Sequence, residues 1–207
     1  MVTALTVNYN TPDLLDRVLS GFRTHYDLPY WVVDGSDEAN FEQIKGFAEK
    51  YRVKIVHFNY NIHHGPGMAY GFQNIDTDQI LLLDSDLIIY NKGFVEDFQS
   101  KLRPDSYGIG AVYNNIETEY VTYIHPACAL INRKIALQYP LPTFYQSPMM
   151  VPMRFLQDNG LNILQDEPWV HDDYSGGPNL ADAVTSEAHY VRHHWAGTLQ
   201  RTGRGGI

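Results

Sequence analysis

Asp84 and Asp86 stand two apart at the end of the apolar run Ile80–Leu83, with only Ser85 between them. In a strand, residues i and i+2 share a face, so the two side chains are expected to converge if the strand persists. Two neighbouring carboxylates do not both stay ionised without compensation. A divalent cation supplies it. Mg2+ and Mn2+ take one or two carboxylates and complete their shell with water and substrate phosphates. The pair therefore suggests a metal that grips phosphate, and the bland alternative is two solvated turn acids. A second cluster has the opposite sign. From Ala188 to Ile207 the chain has no Asp or Glu, but carries Arg192, Arg201, Arg204, His189, His193 and His194. Such a strip is either a local place for an anion or a solvated tail. If it is extended, His193 and His194 point opposite ways, so only one of them can serve a given site.

The elements that must position these groups follow from the apolar periods. Val2–Val7 reads as a buried strand. Thr11-Pro12 reads as a cap and first turn, followed by Leu14, Leu15, Val18, Leu19 and Phe22 on one helical face. Tyr30–Val33 is a second strand, ending at Asp34. Phe41, Ile44, Phe47 and Ala48 mark a second helix, and Val53–Phe58 a third strand. Residues Gly65 to Asn74 are expected to form a loop feeding a short helix, and Gln79–Leu83 a fourth strand. The later half is less regular. Gly108–Val112, Val121–Ile124 and Ala127–Ile131 read as strands, Ser147–Asn159 as a helix, and Gln165–Ala183 as a loop over the site. Alternating strands and helices imply an α/β domain with a mostly parallel central sheet and helices on both faces. Ligands bind beyond the carboxyl ends of such strands. Four consecutive strands deliver polar residues there: Asn8 and Asn10, Asp34 and Asp37, Asn59 and Asn61, Asp84 and Asp86.

Length and composition bound the reading. The chain has 207 residues, 44% apolar and 19% charged, which suits one domain over residues 1–207. A nucleotide-binding half is expected over 1–90, and an acceptor-side half with a C-terminal tail over 91–207. A net charge of −9 argues against a nucleic-acid partner. No stretch is long and apolar enough to span a membrane. One cysteine, Cys128, forms no intramolecular disulfide. With no signal-like start, the expectation is a cytoplasmic protein.

Taken in order, the motifs resemble the nucleotide-sugar glycosyltransferases of the GT-A (Rossmann-like) fold, especially the family-2-like group. The resemblance rests on Asn8-Tyr9-Asn10 after the first strand, VVDGSD (Val32–Asp37), NYNIHHGPGMAYGFQN (Asn59–Asn74), LLLDSD (Leu81–Asp86) and ACALINRKIA (Ala127–Ala136). It covers residues 2 to 135 closely and the rest loosely. In size the chain also resembles small glycosyltransferases of large DNA viruses.

What the resemblance implies is a hexosyltransferase with a UDP-linked donor, Mn2+ or Mg2+, and a carbohydrate or other hydroxyl acceptor. Asp34 is then expected to accept from a base N–H, with Asn8 and Tyr9 lining the base pocket. Gly65 and Gly67 let backbone approach the ribose or diphosphate, and His63 and His64 line the same cleft. Asp84 reaches the ribose or a metal-bound water, and Asp86 binds the metal. A tail histidine, His194 ahead of His193, becomes a third ligand and tilts preference toward Mn2+. Arg192 and Arg201 neutralise the diphosphate.

One departure stands out. Inverting relatives keep an acidic base after the strand resembling Ala127–Ile131. Here the matching stretch has Ser147-Pro148-Met149-Met150. That favours transfer with retention, in which the leaving phosphate deprotonates the acceptor. Asp172 or Asp173, in HDDYSGG, is the alternative carboxylate, serving as base, sugar ligand or weak nucleophile. Two rivals remain. A sugar-nucleotide nucleotidyltransferase usually has a glycine-rich loop after the first strand, where this chain has Asn8-Tyr9-Asn10-Thr11. A non-catalytic carbohydrate-binding protein would share the fold.

Overall fold

Apolar residues alternate along the central strands and feed two separate cores. In β1 (Val2–Asn8), Val2 and Ala4 enter one core and Leu5 the other. The computed structural model describes residues 1–115, 121–144, 148–167, 169–171, 182–184 and 191–193, with backbone alone at 113–115, 169–171, 182–184 and 192–193. After β1 come α1 (Pro12–His25), β2 (Tyr30–Asp34), α2 (Glu38–Ile44), α3 (Phe47–Lys50), β3 (Lys54–His57), α4 (His64–Asn74) and β4 (Gln79–Leu83). Next are β5 (Leu87–Ile89), α5 (Phe94–Lys101), β6 (Gly108–Asn115), β7 (Val121–Asn132), α6 (Arg133–Ala136) and α7 (Met150–Asp158). The short strands β8 (Leu164–Asp166), β9 (Trp169–His171), β10 (Asp182–Val184) and β11 (Val191–His193) follow.

The main sheet has the order β3-β2-β1-β4-β7-β6-β8. β1 to β4 are mutually parallel, β7 runs antiparallel to β4 and β6, and β8 is parallel to β6. Helices α1, α2 and α5 cover the face that receives Leu81 and Leu83. Helices α4 and α7 cover the face that receives Ile80 and Leu82. A second, antiparallel sheet has the order β5-β11-β10-β9. Among the described residues no helix is long and apolar enough to cross a membrane.

The amphipathic reading of α1 holds: its buried residues are Leu14, Leu15, Val18, Leu19 and Phe22. Four expectations are corrected. The second helix is two, α2 and α3, broken around Lys45-Gly46. Residues 121–132 form one strand through Pro126, because the ladder to β6 shifts register between Gly110 and Val112 and the bulge absorbs the missing N–H. The stretch 165–183 contains strand residues of β8, β9 and β10. Helix α4 begins at His64, so Gly65 and Gly67 are helical and buried rather than part of a loop.

The last correction has a packing cause. A Cβ on Gly67 would lie 2.7 Å from Val7 Cγ1, and one on Gly71 would overlap the Leu5 methyls. Gly67 and Gly71 share one face of α4, while Leu5 and Val7 share one face of β1. The two bare stripes let helix and strand meet closely. Gly71→Ala is expected to cost about 1–3 kcal/mol by overpacking. Adding Leu5→Ala should make the double variant less destabilised than the two single losses combined. Urea denaturation of the four proteins checks this.

Candidate active site

The crevice opens where the strand order reverses. β1 pairs with β2 as far as Asn8↔Asp34, but with β4 only to Leu5↔Leu82. One residue further, the Thr6 hydroxyl donates to the Leu83 carbonyl at 2.7 Å and accepts from the Tyr30 hydroxyl at 2.7 Å. Burial pushes the Tyr30 phenol well above its ordinary pKa, so it stays a neutral donor. Thr6 thus satisfies the carbonyl that the parting ladder leaves, and β1 and β4 separate without an orphaned group. Ligands bind at such a switch point in open α/β sheets.

On the β2 side lies a buried polar knot. Asp34 has 0% exposure and Asn8 1%. Asp34 Oδ1 accepts from Asn8 Nδ2 at 2.7 Å and from the Ser36 hydroxyl at 2.7 Å. Its Oδ2 accepts from the Ser36 amide at 3.3 Å and lies 2.9 Å from His57 Nδ1. A carboxylate only accepts, so this network puts the proton on Nδ1 of His57. The imidazole is stacked on Phe41 with ring centroids 3.6 Å apart. The Thr11 hydroxyl, expected to cap α1, donates instead to Asn8 Oδ1 at 2.8 Å. Asn10, in the left-handed region at φ 55, ties the loop after β1 to the loop after β2. Its amide donates to Ser36 Oγ, and its Oδ1 accepts from the Asp37 amide, each at 2.9 Å. Asp34 is the residue expected to accept from a base N–H. Its oxygens are buried and engaged, and it positions Asn8 and the loop. Tyr9, in the same loop, is partly buried.

The acid pair is not a strand pair. β4 ends at Leu83, and residues 84–87 turn, with the Leu87 amide donating to the Asp84 carbonyl at 3.2 Å. The Asp84 amide donates to the Ala127 carbonyl of β7 at 2.9 Å, which holds the start of the turn. Asp86 is 7% exposed. The Asp84 carboxylate lies 3.2 Å from His64 Nε2, at the start of α4. Sequence reasoning placed His64 in the cleft but did not foresee its pairing with Asp84. Below Asp84, burial and then the Asp84 charge raise the Cys128 thiol's pKa, so it stays a neutral core group. Among the described residues no group of three His, Cys, Asp or Glu is placed to hold a metal.

His63 precedes α4 at φ 62, ψ 160, a region that L residues rarely adopt. Its amide donates to Asn61 Oδ1 at 2.9 Å, and the same loop packs on Gly35, whose Cβ would lie 2.8 Å from the Ile62 nitrogen. Strain of about 1–3 kcal/mol is held there. Relief less the glycine entropy cost of about 0.5–1 kcal/mol predicts that His63→Gly stabilises the fold by about 1 kcal/mol. Thermal melting checks it. Gly65 and Gly67, expected to let backbone approach the diphosphate, are also bare for packing reasons. The Gly65 Cβ position is filled by the Phe144 backbone, as that of Gly67 is by Val7.

The second sheet brings Val191–His193 beside β5, the strand that follows the acid turn. β11 pairs antiparallel with β5 in the register Val191↔Ile89, Arg192↔Ile88 and His193↔Leu87. His193 is thus paired with the residue after Asp86. Asp172, Asp173, His194 and Arg201 lie outside the described residues, as do the side chains of Arg192 and His193.

Residues 3–159 match a family model described as glycosyl transferase family 2. No curated protein sequence matches the chain. Among solved structures, the chain is similar in fold to the mannosyltransferase PcManGT from Pyrobaculum calidifontis in complex with GDP-Man and Mn2+. That match has 13% identity, 81% of this chain, 54% of that one and a TM-score of 0.63. It is similar also to glucosyl-3-phosphoglycerate synthase from Mycobacterium tuberculosis in complex with UDP, with 14% identity, coverage of 94% and 87%, and a TM-score of 0.61. TarS 1–349 from S. aureus has 14% identity, coverage of 67% and 50%, and a TM-score of 0.51. The chain spans about half the length of the first and third of these proteins. At such identities the likeness is one of fold. The family match, by contrast, covers most of the sequence, from the first strand through the acid turn to the end of α7, and by it the chain belongs to glycosyl transferase family 2.

Proposed function

We propose that the chain is a metal-dependent glycosyltransferase that moves a hexose-type sugar from a UDP-linked donor to a hydroxyl of a glycan or other acceptor, with retention. The observation that carries this is the β5–β11 register, which seats Val191–His193 beside the acid turn at the mouth of the crevice. Solved relatives in fold hold GDP-Man with Mn2+ and UDP, which supports a nucleotide-sugar donor.

The residues fit a hard divalent ion. Asp86 and Asp84 supply carboxylates at a strand end, and one or two carboxylates are the usual protein share for Mg2+ or Mn2+ beside a diphosphate. A tail histidine, His194 ahead of His193, is the third ligand, and the β5–β11 pairing brings the backbone of His193 beside Leu87. When bound, the ion supplies Lewis-acid stabilisation to the leaving diphosphate. The chain does the rest. Asn8, held by Asp34, and Tyr9 shape the base pocket. Arg192 and Arg201 add positive charge for the diphosphate, and His63 borders the cleft. Asp172 or Asp173 binds a sugar hydroxyl or serves as a weak nucleophile. Retention is supported by α7, which has no acid in its first turn and begins at Met149-Met150. The acceptor proton then goes to the departing phosphate oxygen on the same face of the sugar.

Incubation with Mn2+ and labelled sugar nucleotides tests the reading. The expected result is metal-dependent UDP release that rises with acceptor, and NMR of the product that shows the donor's anomeric configuration. Pyrophosphate-linked exchange would instead mean a nucleotidyltransferase. No turnover with any donor would leave a carbohydrate-binding protein.

A further inference from the structure

A cavity of about 450 Å3 lies away from the acid turn, between the end of α7 and strands β6, β7 and β8. That volume is within the range of small-molecule sites, about 300–1,000 Å3. Its floor is apolar, from Met153 and Leu156 with Leu161 at the edge. Its rim carries Thr122, Gln157, Asn162 and Asp166. Two rim side chains are fixed by backbone donors. Gln157 Oε1 accepts from the Thr122 amide, and Asp166 Oδ1 from the Val112 amide, each at 3.0 Å. Among the described residues, no Lys, Arg or His lines it. An apolar floor ringed by amides, a hydroxyl and a carboxylate suits a neutral polyol. The carboxylate and the chain's net charge of −9 oppose a phosphate or an acidic peptide.

Its floor is tied to the crevice through the core. Met153 and Leu156 belong to the same core face as α4, whose first residue meets Asp84. Gly65 of α4 abuts Phe144, on the segment that leads into α7. β6 is parallel to β4 and separated from it by β7 alone, and Gly108 is level with Ile80, so Val112 at the upper end of the cavity stands level with Asp84 and two strand spacings, roughly 10 Å, across the sheet. From this we infer that the α7–β6–β8 cavity is a distal subsite for an oligosaccharide acceptor, which holds the chain some sugars away from the reacting hydroxyl. The inference rests on the glycosyltransferase reading above, but its test does not depend on turnover.

A glycan array of neutral oligosaccharides is probed with wild type, Leu161→Arg and Asp166→Asn, each checked by melting temperature. Wild type is expected to retain oligomers over their monosaccharides, and Leu161→Arg to lose them by about tenfold or more in affinity. In transfer assays the KM advantage of a trisaccharide over a monosaccharide should collapse toward one in the Leu161→Arg protein. If oligomers bind the arginine variant as well as wild type, or if wild type binds none, the subsite is refuted. If array binding behaves as expected but no sugar nucleotide is turned over, the subsite stands as glycan-binding and the catalytic reading fails.

Discussion

The Asp86→Asn protein is expected to melt at or slightly above the wild-type temperature in the absence of metal, yet to gain no thermal stability from Mn2+ with UDP. The side chain is 7% exposed at the end of β4, so the isosteric amide keeps its packing, and loss of one negative charge relieves repulsion with Asp84. Wild type should respond strongly. A ligand pair at a hundredfold over its dissociation constant adds about 2.7 kcal/mol. For a chain of this size each kcal/mol is about 2–4 °C, so the shift is roughly 5–10 °C. Differential scanning of both proteins with EDTA, with Mn2+, with UDP and with both together separates the contributions. A shift confined to the combined addition, and absent in the variant, places Asp86 at the ion that joins nucleotide to protein. Equal shifts in both proteins would remove Asp86 from that role. His64 sharpens the comparison, because its ring stands 3.2 Å from Asp84 and not within the Asp86 substitution. Asp84→Asn should therefore disturb the start of α4 as well as ligand binding, and its metal-free melting temperature should fall.

The parts of this arrangement that were legible in the sequence are those with a period. Leu14, Leu15, Val18, Leu19 and Phe22 repeat at helical spacing, and all five are buried. The alternation Ile80–Leu83 assigns its residues to two faces, as the two cores show. The position of the acid pair at a strand end was legible for the same reason. Its conformation was not, since a turn and one more strand residue spell alike when the letters are Asp-Ser-Asp. Short edge strands left no period at all. β5, β9, β10 and β11 have three residues each, and the sheet depends on β5 finding β11 more than 100 positions away in the chain, as in Leu87↔His193. Long-range pairing of that kind is a tertiary fact, paid for by packing and not by local propensity. The glycines misled for a related reason. Gly65-Pro66-Gly67 carries turn chemistry, yet Pro is tolerated in the first turn of a helix, and the bare α carbons are needed for contact with Val7 and the segment at Phe144. The polar ends of β1 and β2 were seen as ligand contacts. Residue types alone could not show that Asn8, Asp34, Ser36 and His57 are complementary enough to satisfy one another.

That self-satisfaction sets the second large effect. Asp34→Ala is expected to destabilise the fold by about 3–5 kcal/mol, because it strips the acceptor from a set of buried donors on Asn8, Ser36 and His57. The corresponding fall in melting temperature is about 6–20 °C. Asp34→Asn should cost far less, about 1–2 kcal/mol. Its carbonyl oxygen can still take Asn8 and the Ser36 hydroxyl. Its amide can donate to His57 once the imidazole proton moves to Nε2, which leaves only the long Ser36 amide contact unmet. The pair also separates two roles for the same residue. If Asp34 acts by holding Asn8 and the loop after β2, the asparagine protein keeps UDP affinity within a few-fold of wild type, because the knot persists. If the carboxylate instead opens to accept a base N–H, as the family resemblance implies, the asparagine protein loses that acceptor while staying folded. Its UDP affinity then falls by about tenfold or more, since a hydrogen bond to a charged group is worth about 1.5–3 kcal/mol. Calorimetric titration of UDP with Mn2+ into the folded asparagine variant decides between them. The geometry, with Asp34 at 0% exposure and both oxygens engaged, predicts the first outcome.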